Sequence, residues 1–296
     1  MAERLEAVPR AAAGRARAGF YQDAWRRLRR NRWALVGLLI VGAFALAAAL
    51  APYVAPADPI EQDLDAQMRP PSRRYLLGTD DLGRDLLSRI IYGGRVSLSV
   101  GVVSVSLALA AGTVLGLAAG YYGRWVESLT MRVMDVMLAF PATLLAIFIV
   151  GIRGPGLNNA MLAIGVINIP IFARLVRGSV LRVRQEEFVE AARALGSGTG
   201  RIVGRHILPN TLAPIIVQAT LGIGAAILEA AGLSFLGLGA QAPTPEWGAM
   251  LTNTREFLRD APWAATFPGI AILLTVVGFN LLGDGLRDAL DPRLRI

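Results

Sequence analysis

The sequence predicts an all-α, polytopic membrane protein with six spanning helices. Three observations carry this. Hydrophobic residues make up 54% of the 296, and the mean hydropathy is +0.49. A soluble domain of this size seldom has so little polar material to cover its surface. Six stretches are uncharged over the ~20 residues a hydrocarbon core demands. The charges, in turn, are gathered between those stretches.

The six stretches are Trp33–Ala51, Val96–Gly123, Val136–Ile152, Gly154–Ala173, His206–Leu228 and Ala261–Gly283. A further uncharged run after Glu229 reaches Pro245, but its glycines and prolines predict a turn or re-entrant piece. With the N-terminus placed in the cytoplasm, 21 of the 30 Arg fall in inside segments and nine outside. That bias predicts both termini inside. The Arg-rich tail before Trp33, including Arg26, Arg27, Arg29, Arg30 and Arg32, is expected against anionic headgroups. A cleaved leader is the competing reading, since Ala49-Leu50-Ala51 resembles a cleavage site. Both the basic region and the apolar run are too long for it.

Composition excludes several functions. The net charge is +8, yet no Lys is present, so the chain cannot hold a P-loop, which needs one for the phosphates. The single His206 offers no metal cluster and no spare base for a triad, and Cys is absent. No metal site and no bound cofactor are expected on this chain. The Arg lie between apolar runs rather than on an aromatic-interleaved surface, which argues against nucleic acid.

Between spans, Asp58–Arg95 reads as a polar outer loop whose first half is kept irregular by Pro56, Pro59, Pro70 and Pro71. Within Glu246–Asp260, the spacing of Trp247, Met250, Leu251, Phe257 and Leu258 suits a short helix lying at the membrane interface. Gly112, Gly116 and Gly120 repeat every four residues in the second span. Small residues so spaced let helices approach closely, as general packing or as a partner interface.

The most informative stretch runs from Glu186 to Asn210. Glu186–Leu195 predicts a short helix, with Glu186 and Glu187 in the first turn, where the helix dipole favours acids. Phe188, Ala192 and Leu195 would form one apolar face. Gly196 fits the position after the helix end, and Thr199 would cap a second short helix stopped by Pro209. Ala191, Ala192 and Ala194 permit a close fit in a groove. Such an element suits a moving partner that pushes on two spans; an ordinary surface hairpin fits the residues equally well.

Glu229 is the one acid deep in an apolar run, at ~28 Å along the fifth helix from Asn210. It either lines a substrate mouth, meeting a peptide amino terminus, or pairs with an outer-loop Arg as part of a gate. Arg132 and Asp135 are spaced as a helix ion pair. His206 suits packing among Arg201 and Arg205 better than a proton switch. Gly237–Ala242 mimics a dinucleotide turn, but no strand precedes it.

Segment 186–210 resembles the EAA loop of ABC-importer permeases through Glu190, Ala191, Ala192 and Gly196, followed by Ile207, Leu208 and Pro209. LLGTDDLGRDLLSRIIYGGRVSLSVG (76–101), MRVMDVMLAFP (131–141) and EAAGLSFLGLGAQAPTPEWGAML (229–251) resemble signatures of the dipeptide and oligopeptide permeases. The resemblance covers the chain from Trp33 onward. It departs at Ser197–Gly200, where relatives usually carry an acid and an aromatic, and at Gly204, where a bulky residue is common. It implies a type-I ABC-importer permease fold in a bacterial inner membrane. The divisions are a tail (1–32), a first span with its loop (33–95), a core (96–287) holding the coupling loop 186–210, and a C-terminal tail (288–296).

It further implies a homologous second permease, two cytoplasmic ATPases that hold ATP and Mg, and an extracytoplasmic solute-binding protein. Glu187, Glu190, Ala191, Ala192, Gly196, Ile207, Leu208 and Pro209 would form the ATPase-coupling loop. The expected activity is peptide import by alternating access, with nickel or another solute as the alternative cargo. An ion-driven secondary transporter would normally show buried acids or broken helices at the midplane, and the spans lack such acids apart from Glu229. An intramembrane hydrolase would need a nucleophile–base pair, which is missing.

Overall fold

Side-chain oxygen Oδ1 of Asn31 accepts from the backbone N–H groups of Trp33 and Ala34 and so starts the first long helix, α1 (Arg32–Ala49). In the computed structural model, which describes residues 25–290, eight further helices of eight residues or more follow. They are α2 (Leu86–Tyr122), α3 (Arg124–Ala139), α4 (Ala142–Arg153), α5 (Leu157–Val183), α6 (Glu187–Ala194), α7 (Leu208–Phe235), α8 (Trp247–Thr254) and α9 (Pro262–Leu290). A helical turn, Thr199–Arg201, and a π turn, Ile202–Ile207, lead into α7. No β-strand occurs among the described residues beyond one isolated bridge, Thr79 to Asp85. The first 24 residues of the predicted tail and the last six of the chain lie outside the described part.

Five helical stretches are long and apolar enough to cross a bilayer, and the α3–α4 pair supplies a sixth if counted as one bent span. The predicted third span is therefore not one straight helix. It breaks at Phe140–Pro141 with a 93° bend. Pro141 has no N–H to give an α3 carbonyl and pushes Phe140 into an extended conformation.

The predicted outer loop is shorter than expected. Helix α2 begins at Leu86, capped by Asp85, whose Oδ2 accepts from the N–H of Ser88 at 2.8 Å. Residues 86–95 are thus helical, and α2 has 37 residues, a length of ~55 Å. The hydrocarbon core is only ~30 Å thick, so α2 projects beyond it.

Close helix contact comes from small residues. A Cβ on Gly116 would stand 2.6 Å from the carbonyl oxygen of Ala173, so only glycine lets α2 and α5 meet there. Gly112 and Gly120 face Phe172 and Val180 in the same seam. The four-residue glycine repeat therefore serves packing within this chain. Helix α1 meets α9 through Gly37, whose missing Cβ admits Gly278.

Three apolar clusters organise the interior. The central one joins α2, α4, α5 and α7 around Val100, Ala146, Val150, Ile164, Phe172 and Ala226. A second, at the end holding the long loop, joins α2, α8 and α9 around Leu86, Trp247, Met250 and Ile272. The third, at the opposite end, joins α5, α6 and α7 around Val180, Val189, Ile202 and Ile207. The residues expected to lie along the membrane interface include Trp247 and Met250. Both are instead buried, because Gly93 leaves α2 open beneath the indole.

Candidate functional site

Helix α6 and the start of α7 form one unit at the end where α5 finishes. Val189 packs in one apolar cluster with Ile202 and Ile207, and Ala192 is buried on the same helix. The predicted apolar face of Phe188, Ala192 and Leu195 is therefore corrected. Ala192 is buried, but Phe188 is 44% exposed and Leu195 86% exposed. Phe188 lies beside His206, with ring centroids 6.4 Å apart.

The outer edge of α6 carries Glu187, Glu190 and Ala191, all exposed. Gly196 follows with φ +75°, a left-handed conformation suited to glycine, and reverses the chain. Neighbouring N–H groups tie off the helix end: Gly196 donates to the Arg193 carbonyl and Ser197 to that of Ala192, both at 3.0 Å.

The second half of the loop differs from expectation. Gly198, not Thr199, occupies the cap position, and no side chain bonds there. Pro209 does not stop a separate helix. Residues 199–235 run as one helical stretch. The proline is accommodated by the π turn ahead of it, where the Leu208 N–H reaches back five residues to the Val203 carbonyl. Widening the helix there avoids the clash and the missing bond that proline imposes on a regular turn. Gly204 sits in that π turn with open space around it. Ile207 is buried, while Leu208 and Pro209 are half-buried. The eight residues expected to form a coupling loop thus belong to one knuckle, with an exposed acidic edge and a packed apolar underside.

Glu229 lies far from the knuckle on α7 and is half-buried. Its Oε2 accepts from Asn168 Nδ2 of α5 at 2.9 Å, and the same amide nitrogen donates to the Ile164 carbonyl. No Arg pairs with Glu229 among the described residues, so the expected outer-loop partner is replaced by an amide. Asn168 escaped the sequence reading. It is a polar side chain inside an apolar run and falls under the same rule that singled out Glu229.

Asp135 also takes a different partner. It is bonded not by Arg132 but by Arg174 of α5, at 2.5 Å. Glu127 pairs with Arg177 beside it. Among the described residues no group of His, Asp and Glu is placed to hold a metal ion.

At the long-loop end, segments 76–101 and 229–251 dock on one another. The buried carboxylate of Glu246 accepts from the N–H groups of Gly248 and Ala249, capping α8. It also accepts from the Ser97 hydroxyl at 3.2 Å. Nearby, Asp80 is flanked by Arg84 at 2.7 Å and Arg89 at 3.3 Å, all three buried. Nη1 of Arg89 donates to the Pro59 carbonyl, tethering the loop to α2.

Comparison with known proteins adds the following. Residues 112–296 match the family described as binding-protein-dependent transport system inner membrane component. Residues 19–71 match the N-terminal TM domain of oligopeptide transport permease C. The chain is 55% identical to the dipeptide transport system permease protein DppC of Alkalihalophilus pseudofirmus, over 93% of this chain and 90% of that one. It is 49% identical to DppC of Haemophilus influenzae, over 93% and 95%. It is 47% identical to the glutathione transport system permease protein GsiD of Escherichia coli, over 93% and 91%. A solved structure of the MetNI methionine ABC transporter, in an inward-facing conformation, superposes with a TM-score of 0.57. The identity is 19%, over 69% of this chain and 96% of that one. That likeness is one of fold.

Proposed function

The chain belongs to the binding-protein-dependent transport system inner membrane components, among the dipeptide and oligopeptide permeases, and from this we propose that it imports short peptides by alternating access. Family membership makes it a membrane transport subunit rather than a catalytic enzyme. In the proposed assembly it pairs with a second, homologous permease. Two cytoplasmic ATPases, which carry the ATP and Mg, bind the knuckle, and an extracytoplasmic binding protein delivers the solute. Both termini then face the cytoplasm, in line with the Arg distribution.

The observation that carries the mechanism is the continuity of residues 199–235 beneath α6. Force applied to the exposed edge at Glu187, Glu190 and Ala191 passes through the Val189–Ile202 and Val189–Ile207 packing into two spanning helices. No linker intervenes in which the motion would be lost. Gly196 sets the angle between the two arms. The bend between α3 and α4 gives a second place where the bundle can change shape.

Peptide is the favoured cargo because the similar permeases are named for dipeptides and for glutathione, itself a tripeptide. Glu229 and Asn168 are assigned to the pathway between the two permeases, since a charged group at that depth belongs in a protein or aqueous setting rather than against lipid. Uptake of a labelled dipeptide into proteoliposomes holding the complete complex tests the reading. ATP-dependent accumulation is expected. Uptake without ATP or without the ATPases, driven by an imposed ion gradient, would refute it.

A further inference from the structure

The turn from α2 to α3 holds two successive residues with positive φ, Gly123 at +66° and Arg124 at +49°. An L side chain seldom takes that conformation, yet Arg124 does. It enters an open groove of about 660 Å³ between α3 and the last turns of α5. Arg124, Glu127, Arg132 and Asp135 line one wall, and Arg174 and Arg177 the other.

The charges do not cancel. Glu127 is taken by Arg177 and Asp135 by Arg174. Arg124 and Arg132 have no acidic partner among the described residues. Four guanidinium groups therefore face two carboxylates, a surplus of two positive charges around a cleft open to solvent. Guanidinium is the side chain best matched to the oxygens of a phosphate.

The other exposed face of α3 is apolar. Trp125, Leu129, Val133, Val136 and Phe140 recur at helical spacing and are all exposed. On a helix they stand immediately beside the groove-lining positions. Tyr122 and Trp125, both largely exposed, mark this level as a membrane–water boundary. A cationic cleft continuous with an apolar stripe matches a molecule that is itself anionic at one end and apolar at the other.

We propose that the groove between α3 and α5 binds the phosphate headgroup of an anionic phospholipid, whose acyl chains lie along the Trp125–Phe140 stripe. The lipid would come from the cytoplasmic leaflet, which rests on the orientation given under the proposed function. A lipid held there would bridge α3 to α5 beside the α3–α4 bend. Anionic lipid would then set how firmly that bend is braced.

The test uses the full chain purified in neutral detergent, with thermal unfolding followed during titration. The probes are a short-chain phosphatidylglycerol, a phosphatidylcholine with the same chains, and inorganic phosphate. Phosphatidylglycerol at saturating concentration is expected to raise Tm by roughly 5 °C, from mass action on the folded state. Phosphatidylcholine and phosphate are expected to leave it unchanged. The double variant Arg124→Gln, Arg132→Gln should lose the shift, and so should Ser128→Trp, which fills the groove. Arg153→Gln, at the other end of the bundle, should keep it.

An equal shift with phosphatidylcholine would overturn the proposal by reducing it to general lipid contact. A shift with phosphate alone would overturn the lipid assignment in favour of a free anion. Retention of the shift in both groove variants would place the lipid elsewhere. The orientation is checked separately, because the chain has no Cys. A single cysteine at Ser128 should react with an impermeant maleimide only from the cytoplasmic face. Labelling from outside would refute the orientation and leave the detergent result standing.

Discussion

Nε1 of Trp247 donates to the carbonyl of Ile90 at 3.0 Å, joining α8 to α2 across 157 residues of sequence. The indole is fully buried, edge-on to Phe44 at 5.5 Å and pressed against Gly93. It thereby gathers α1, α2 and α8 at one point. Trp247→Ala is expected to cost about 3–5 kcal/mol, the range for deleting a large buried aromatic. Trp247→Phe keeps most of the volume and loses the hydrogen bond, for about 1 kcal/mol. Equilibrium unfolding in mixed detergent measures both. Equal losses in the two variants would contradict this ranking.

Two acid–arginine sites should differ sharply in what neutralisation costs. Asp80 is almost wholly enclosed between Arg84 and Arg89. Asp80→Asn strips buried Arg89 of its counter-charge and leaves buried Arg84 with Asp81 alone, and is expected to cost about 3–5 kcal/mol. Asp135 and Arg174 are 60% and 49% exposed. Asp135→Asn should cost less than about 1 kcal/mol, since solvent screens an exposed pair. Unfolding free energies of the two variants, taken in the same detergent, make the comparison.

Asp81, beside that enclosed pair, gives a pH signature. Burial pushes its carboxyl above the ordinary aspartate value, the charge on Asp80 adds to the rise, and Arg84 opposes it. A raised acid favours the folded state fully only below its unfolded pKa, near 3.8, and that contribution is lost as pH climbs through the raised folded value. Asp81→Asn does not titrate. Relative to the natural chain it should therefore gain stability from pH 4 toward neutrality. Paired thermal melts across that interval read the difference, and a difference that shrinks with rising pH would reverse the assignment.

At the knuckle, stability and coupling should separate. Glu190 is exposed, so Glu190→Arg is expected to change stability by no more than about 0.5 kcal/mol. In the assembled transporter it should cut ATP-driven uptake at least tenfold by reversing the charge offered to the ATPase. Val189 is fully buried, and Val189→Asp should unfold the α6 region outright. Uptake and protease resistance, measured on the same preparations, distinguish the two. Normal uptake by Glu190→Arg would remove this edge from the coupling surface.

The spans were legible because lipid leaves little choice: a backbone in hydrocarbon must satisfy itself, and ~20 apolar residues are the length that does so. In segment 186–210 the reversal at Gly196 is legible in the sequence, and the course of the chain after it is not. Pro209 carries the ordinary signal for a helix end, yet the π turn before it absorbs the missing N–H, and nothing local to the proline announces that. Trp247 has the spacing of an interfacial aromatic, and only the gap left by Gly93 on a distant helix turns it inward. Arg132 is the nearest cation to Asp135 in sequence, but Arg174 on α5 is the one that reaches it. Glu229 stands out in the sequence as the acid deep in an apolar run, and in the structure it is half-buried. Its partner, Asn168, lies 61 residues away on a different helix, and no spacing rule connects the two.

The two overlong helices project in opposite directions. Residues 86–95 carry α2 out past one face of the bilayer, and residues 199–207 carry the helix of α7 past the other. They meet inside the membrane, where Gly101 of α2 lies against Ile223 and Ile227 of α7. Each rod is ~55 Å long, so a ten-degree rocking about its middle swings a tip by ~5 Å. Two stiff members packed together at Gly101 connect the two ends of the bundle, so a displacement at one end reaches the other without any loop having to refold.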